Sequence, residues 1–214
     1  MNAPRLYTYY RSGAAHRVRI GLALKGVSYD SVPVHLVRNG GEHLLPPYRA
    51  INPQARVPAL QLGDGAIMAQ SPAILEYLEE TIPQPPFLPK DPIERAQVRR
   101  VAAIIGCDIH PLNNVGPLNY LRHVLKADKA AVEAWYWHWI ITGFEAVEAL
   151  IRPGPYACGQ RVTVADICLV PQVYNARRFK VPLDRFPQIV AVDAALMKLP
   201  AFDAARPENQ LDAE

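Results

Sequence analysis

The chain has 214 residues, 50% of them hydrophobic, and a formal net charge of +3. That length suffices for one large domain or two small ones with ordinary cores, and the apolar content excludes a chain too polar to fold. The charge is too small to imply nucleic acid, and no uninterrupted apolar run is long enough to cross a bilayer as a helix.

Arg5–Tyr10 alternates loosely and is rich in tyrosine, so it reads as a strand. Arg11-Ser12-Gly13 breaks that pattern. From Ala14 to Lys25 the apolar residues Ala15, Val18 and Leu22 recur at helical spacing, and Gly26 reads as the C-terminal cap. Tyr29–Leu36 alternates again, with Val32, Val34 and Leu36 on one face. Strand, helix and strand make a βαβ unit, which demands a right-handed crossover and a parallel pair. Val37–Gln54 reads as irregular, with Gly40-Gly41, Pro46-Pro47 and Asn52-Pro53 as its breaks. Ala59–Leu62 and Ala66–Ala69 flank Gly63-Asp64-Gly65, a hairpin signal. Ser71-Pro72 opens a helix running to about Thr81, with Ser71 as the expected N-cap.

Five prolines fall between Pro83 and Pro92, a linker by composition. Beyond them, Ile93–Ile109, Asp128–Leu150, Val164–Ala176 and Pro187–Leu199 all show helical periodicity. Thr163 and Asp166 have the spacing of a capping box. The expected organisation is an α/β domain over residues 1–83, a proline-rich linker over 84–91 and an all-helical domain over 92–214.

Cys107, Cys158 and Cys168 are widely spaced and form no Cys-x-x-Cys pair, which argues against a disulfide framework or a zinc site. Met1–Arg5 carries no signal-peptide pattern. Both points lead to the expectation of a cytoplasmic protein with no metal and no membrane partner. Residues 1–90 hold nine Lys/Arg against six Asp/Glu, whereas residues 91–214 hold fourteen of each. Arg5, Arg11, Arg17 and Arg19 crowd together and would draw a small anion. Arg17 and Arg19 read equally well as a solvated helix face.

Ser12, between a strand and a helix start, sits where backbone N–H groups and the helix dipole favour negative charge. A thiol held there would ionise more easily. The same residue also reads as a simple N-cap. Val57-Pro58 can be a cis bend exposing a backbone edge or an ordinary trans proline at a strand start. Ser71 at a helix start can present hydroxyl and N–H to an anion. Asp108-Ile109-His110-Pro111-Leu112-Asn113-Asn114 sets polar groups at the end of an apolar helix. The sequence offers no carboxylate dyad, Ser-His-Asp set or metal cluster.

Tyr10-Arg11-Ser12-Gly13-Ala14-Ala15-His16-Arg17-Val18-Arg19-Ile20 resembles the signature of the zeta-class glutathione transferases of the maleylacetoacetate isomerase type. Asn52-Pro53, Val57-Pro58, Gln70-Ser71 and the Asp166 to Gln172 stretch follow in the family's order, so the resemblance spans about Leu6 to Phe202. It implies a thioredoxin-like N-terminal domain, an all-α C-terminal domain and a homodimer. It also implies glutathione as cofactor and a small anionic diketo acid as substrate. The implied reaction is cis–trans isomerisation of maleylacetoacetate to fumarylacetoacetate by reversible thiolate addition.

Residue by residue, the resemblance gives Ser12 the activation of the thiol. Arg11 and Arg178 are matched to the substrate carboxylates and developing enolate, and the fork of an arginine suits a carboxylate. Val57, Gln70 and Ser71 are matched to glutathione, as are His43, His110 and Asn114. The family's second serine and its cysteine fall on Gly13 and Ala14, which rules out a mechanism needing an enzyme thiol there. Maleylpyruvate isomerase and transfer to small α-halo acids are the related alternatives. An arginine of the maleylpyruvate group falls on Gly116, which weighs against that substrate. A non-catalytic binding module of the same fold is the alternative from another class.

Overall fold

The computed structural model describes residues 3–214; Met1 and Asn2, part of the stretch read for a leader, lie outside the described residues. Two compact units are present. One comprises residues up to Pro86 together with Lys198–Glu214, and the other comprises Phe87–Met197. Residues 198–214, read from sequence as the end of the helical domain, therefore group with the α/β part.

The first unit is built on a four-stranded sheet. Strands β1 (Arg5–Thr8), β2 (Asp30–Pro33), β3 (Ala59–Gln61) and β4 (Ile67–Ala69) lie in the order β2-β1-β3-β4. β1 pairs parallel with β2, while the β1–β3 and β3–β4 pairs are antiparallel. The parallel pair is closed by helix α1 (Gly13–Leu24), the expected crossover. Its C-terminus is a Schellman motif: Gly26, at φ 66°, donates to Ala23 and Val27 donates to Leu22. Only glycine takes that left-handed position without a Cβ penalty. The segment read as irregular contains helix α2 (Pro46–Ile51), opened by proline in its first turn. A six-residue helix is too short to show a periodicity. Helix α3 (Ser71–Thr81) completes the ββα half.

Nine of the twelve residues of α1 are buried, polar ones included: His16, Arg17 and Arg19 are 2%, 2% and 1% exposed. Of the two readings of these arginines, the solvated face is thus not what forms. α1 packs against α3, and against the short helix α9 (Pro200–Ala204) that the C-terminal segment contributes. Arg19 donates to the carbonyls of Ala205 (3.0 Å), Tyr10 (3.0 Å) and Tyr9 (3.4 Å), and to Thr8 Oγ1 (3.2 Å). Burial of a guanidinium requires this kind of saturation with acceptors. His16, buried on the same helix as the two arginines, is held well below its ordinary pKa, first by burial and then by the charges of Arg19 and Arg17.

The second unit contains helices α4 (Pro92–Ala103), α5 (Val115–His123), α6 (Lys129–Leu150), α7 (Val164–Arg178) and α8 (Pro187–Leu196). The periodic run 93–109 is not one regular helix, because Ile104–Ile109 forms a π-helical turn after α4. α7 is buried along nearly its whole length and is the core of the unit. Asp166 closes its first turn: the carboxylate accepts from Thr163 N–H (2.8 Å), Thr163 Oγ1–H (2.9 Å) and Ala157 N–H (2.8 Å). α5 was not anticipated; Gly116 and Pro117 in its first turn mask the signal.

Candidate functional site

The register of the sheet determines which sequence-predicted residues meet in the first unit. Tyr7 pairs with Ala59, and Ala59 pairs with Ala69. The end of β1, the start of β3 and the end of β4 therefore lie side by side on one edge of the sheet. Ser12 follows β1 by four residues, Val57 precedes β3 by two, and Gln70 follows β4 directly. Antiparallel pairing thus gathers at one edge groups that are 45 and 58 positions away from Ser12 in sequence.

Ser12 is the N-cap of α1. Its Oγ accepts the Ala15 N–H at 3.2 Å, and its own N–H donates to Tyr9 O at 2.9 Å. The cap uses an oxygen lone pair, so the hydroxyl proton remains a donor. Ser12 is half-buried, and the dipole of a 12-residue helix stands behind it. The two readings of this serine, cap and thiol partner, are compatible. Arg11 is exposed, its guanidinium carbon 4.7 Å from the centre of the Tyr10 ring.

The Val57–Pro58 peptide is cis, and Val57 lies outside the β3 ladder, which begins at Ala59. The approach to it is pinned at Arg56, whose carbonyl accepts from Tyr48 Oη and Asn52 Nδ2, both at 2.7 Å. Burial pushes the Tyr48 phenol up to about 12, so it stays a donor at all ordinary pH.

At α3 the structure departs from the expected cap. Gln70, not Ser71, is the N-cap residue, and it makes no side-chain cap bond. Ser71 is the first helical residue, because Gln70 takes the left-handed conformation at φ 71° that turns the chain out of β4. For a non-glycine residue that conformation costs on the order of 1–3 kcal/mol, and such strain concentrates at functional sites. The turn aims the α3 N-terminus, with its N–H groups unused by the helix, at the sheet edge. Ser71 is buried, and its Oγ accepts from Arg17 Nη1 at 3.4 Å. Gln70 Nε2 donates to Gln54 Oε1 at 2.5 Å. Gln54 was missed by sequence reasoning; only its place in the Asn-Pro-x-x-x-Val-Pro run pointed toward it.

His43 occupies a 3₁₀ turn, Glu42–Leu44, and is half-buried. Burial, reinforced by Arg49, lowers its pKa and favours the neutral ring. Gly41, at φ 105°, makes room for it: a Cβ there would stand 2.6 Å from His43 Cε1. The sheet register by itself does not bring His43 to the other groups.

His110, Asn114 and Arg178 belong to the second unit. His110 ends the π-helical turn, its N–H donating to Ile105 O at 2.9 Å. Asn114 caps α5, its Oδ1 accepting from Val115 N–H at 2.7 Å, which leaves the amide NH₂ as a donor. Arg178 is exposed at the end of α7, 4.6 Å over the Phe179 ring. Phe179 in turn stacks on Tyr136 at 3.9 Å. Arg177, read as a surface residue, is exposed but engaged by the buried Asp193 at 2.5 Å. No group of three or more possible metal ligands occurs among the described residues, and none of their helices is long and apolar enough to cross a membrane.

A serine hydroxyl at a helix start, a free backbone edge beside a cis proline and an aimed helix N-terminus together suit a small peptide that carries a thiol and a carboxylate. Residues 11–81 match the family described as the glutathione S-transferase N-terminal domain. The maleylacetoacetate isomerase of Pseudomonas aeruginosa PAO1 is 53% identical, over 97% of this chain and 98% of the relative. The holo structure of a maleylpyruvate isomerase, a bacterial zeta-class glutathione S-transferase, is 50% identical with a TM-score of 0.95, covering 98% of this chain and all of that one. A maleylacetoacetate isomerase from Methylobacterium extorquens AM1, with bound malonate and glutathione, is 34% identical with a TM-score of 0.93, over 98% and 99% of the two chains. With likeness of this extent over the whole length, the chain belongs to the zeta-class glutathione transferase family of maleylacetoacetate and maleylpyruvate isomerases.

Proposed function

We propose that the protein is a glutathione-dependent isomerase that converts maleylacetoacetate to fumarylacetoacetate. The observation that carries this reading is Ser12: a half-buried hydroxyl at the α1 N-terminus whose cap bond leaves its proton available. Bound glutathione supplies the thiolate nucleophile, so the protein itself needs no nucleophilic side chain. The residues present fit that cofactor. Val57 offers backbone N–H and C=O outside the β3 ladder to a peptide backbone. The α3 N-terminus, with Ser71 and the Arg17 charge behind it, suits the γ-glutamyl carboxylate. Gln70 adds an amide at that end. Ser12 and the α1 dipole favour the ionised thiol.

Arg11 and Arg178 serve the substrate's carboxylates and its developing enolate oxygen, where fixed positive charge lowers the barrier. Each is exposed in its own unit, in keeping with a group that meets a ligand. His43, His110 and Asn114 act as further glutathione contacts. The neutral ring favoured at His43 makes it a polar contact rather than a cation. A homodimer in the cytoplasm is the setting that family membership suggests.

Maleylpyruvate is the second reading, favoured by the 50% identity and TM-score of 0.95 to a maleylpyruvate isomerase. Gly116, where that group carries an arginine, favours the larger substrate. The test is direct: each cis substrate is mixed with protein and glutathione, and loss of its absorbance is followed. A higher kcat/KM for maleylacetoacetate is expected. Absence of turnover on either compound, with glutathione bound, would leave a binding module instead.

A further inference from the structure

Arg19 and Asp212 converge on the four residues that deliver Ser12 to its place. Tyr9–Ser12 is a turn closed by Ser12 N–H to Tyr9 O at 2.9 Å. The buried Arg19 guanidinium reaches that turn from α1, donating to Tyr9 O at 3.4 Å and to Tyr10 O at 3.0 Å. Its remaining bonds reach back to Thr8 Oγ1 in β1 and across to Ala205 O in the C-terminal segment. From that same segment, Asp212 Oδ2 accepts the Tyr10 N–H at 3.0 Å. The Tyr10 residue is therefore gripped at both of its backbone polar groups, by side chains 9 and 202 positions away.

We infer that Arg19 and Asp212 are positioning residues that clamp the Tyr9–Ser12 turn and so fix the Ser12 hydroxyl toward the cofactor thiol. Neither touches the reacting atoms; both act through the backbone of the turn. A turn with one internal hydrogen bond leaves Ser12 several torsions of freedom, and the clamp removes them before ligand arrives. Preorganisation of a donor is what gives a hydrogen bond to a forming anion its full effect. The fork of Arg19 is essential to this role, since a single ammonium cannot serve two successive carbonyls, Thr8 and Ala205 at once.

The inference rests on the Ser12 role proposed above, and the test separates the two. Asp212 lies half-buried near the chain end, so Asp212→Ala removes one jaw with little risk to folding. Asp212→Asn keeps an acceptor oxygen while removing the charge. Two readouts are taken: exchange of the Ser12 amide in the ligand-free protein, and the thiolate absorbance of the binary glutathione complex against pH. In Asp212→Ala the amide is expected to exchange faster and the thiolate fraction at neutral pH to fall by roughly two- to fivefold. Asp212→Asn is expected to restore both. Arg19→Lys, assayed only on folded protein, should move them in the same direction, the thiolate loss staying within the roughly fivefold set by loss of the Ser12 hydroxyl itself. If Ser12→Ala moves the titration and Asp212→Ala moves neither readout, the clamp is overturned while the Ser12 role stands. If Ser12→Ala itself leaves the titration unmoved, the Ser12 role falls and the clamp falls with it.

Discussion

Replacing Ser12 by alanine has two consequences that the structure keeps separate. The first concerns stability. Ser12 Oγ caps α1 through a 3.2 Å bond to Ala15 N–H, and loss of such a cap costs ~0.5–2 kcal/mol. The length of that bond points to the low end, and the other anchors of the turn survive, so the variant is expected to fold. The second concerns the bound thiol. A hydrogen bond from a half-exposed hydroxyl is worth about 1 kcal/mol net, or roughly 0.7 of a pKa unit. The thiol pKa should rise by that amount, because the donor favours the charged form. Below both pKa values the thiolate fraction then falls about fivefold, and kcat at saturating glutathione falls with it. Above both values the sulfur is ionised in either protein and the deficit closes. The assay is the thiolate absorbance of the glutathione-saturated proteins from acid to alkaline pH, alongside kcat at each pH. Identical thiol pKa values in two folded, saturated proteins would refute the reasoning and leave the α1 dipole or Arg11 as the activating group.

Three other outcomes are expected. Arg178→Ala should raise the KM for the maleyl substrate and lower turnover, with glutathione affinity nearly unchanged; exposure of Arg178 puts the loss below the ~2–5 kcal/mol of a buried charge pair. An equal fall in glutathione affinity would make the residue structural. His16 is neutral in the fold, its pKa depressed, so the unfolded chain binds the extra proton first as pH falls below 6.5. Stability should therefore decline by up to ~1.4 kcal/mol per pH unit through that range, as read by urea unfolding, and His16→Gln should flatten this component. Gly143→Ala places a Cβ 2.3 Å from Cγ1 and Cδ1 of the fully buried Ile109. Overpacking of ~1–3 kcal/mol should outweigh the ~0.5–1 kcal/mol that alanine gains in a helix, and a double-mutant cycle with Ile109→Ala should recover the difference.

The parts of the protein written in the sequence are those governed by interactions over a few residues. Gly26 ends α1 because only a residue free of Cβ takes the Schellman position easily. Gly63-Asp64-Gly65 turns β3 into β4, and Thr163 with Asp166 opens α7, each by local hydrogen bonding. The alternation of β1 and the periodicity of α3 and α6 reflect one buried face, and the family's ordered motifs lie on top of that pattern.

Tertiary structure decided what depends on partners distant in the chain. Arg17 sits opposite the Ala15–Val18–Leu22 face, where a helix wheel gives solvent, while Arg19 falls on the apolar face itself, four residues after Ala15. They are buried because α3 and the C-terminal segment cover them, supplying Ser71 and Ala205 as acceptors. The N-cap of α3 falls on Gln70 rather than Ser71 because a left-handed residue is needed to leave β4, a geometric demand with no sequence signature outside glycine and asparagine. Gln54 became a neighbour of Gln70 through the folding of the Asn52–Val57 loop. The edge that gathers Ser12, Val57 and Gln70 was fixed by the β1–β3–β4 register. Composition and motif spacing name the groups, but only the pairing of strands determines which ends of them lie together.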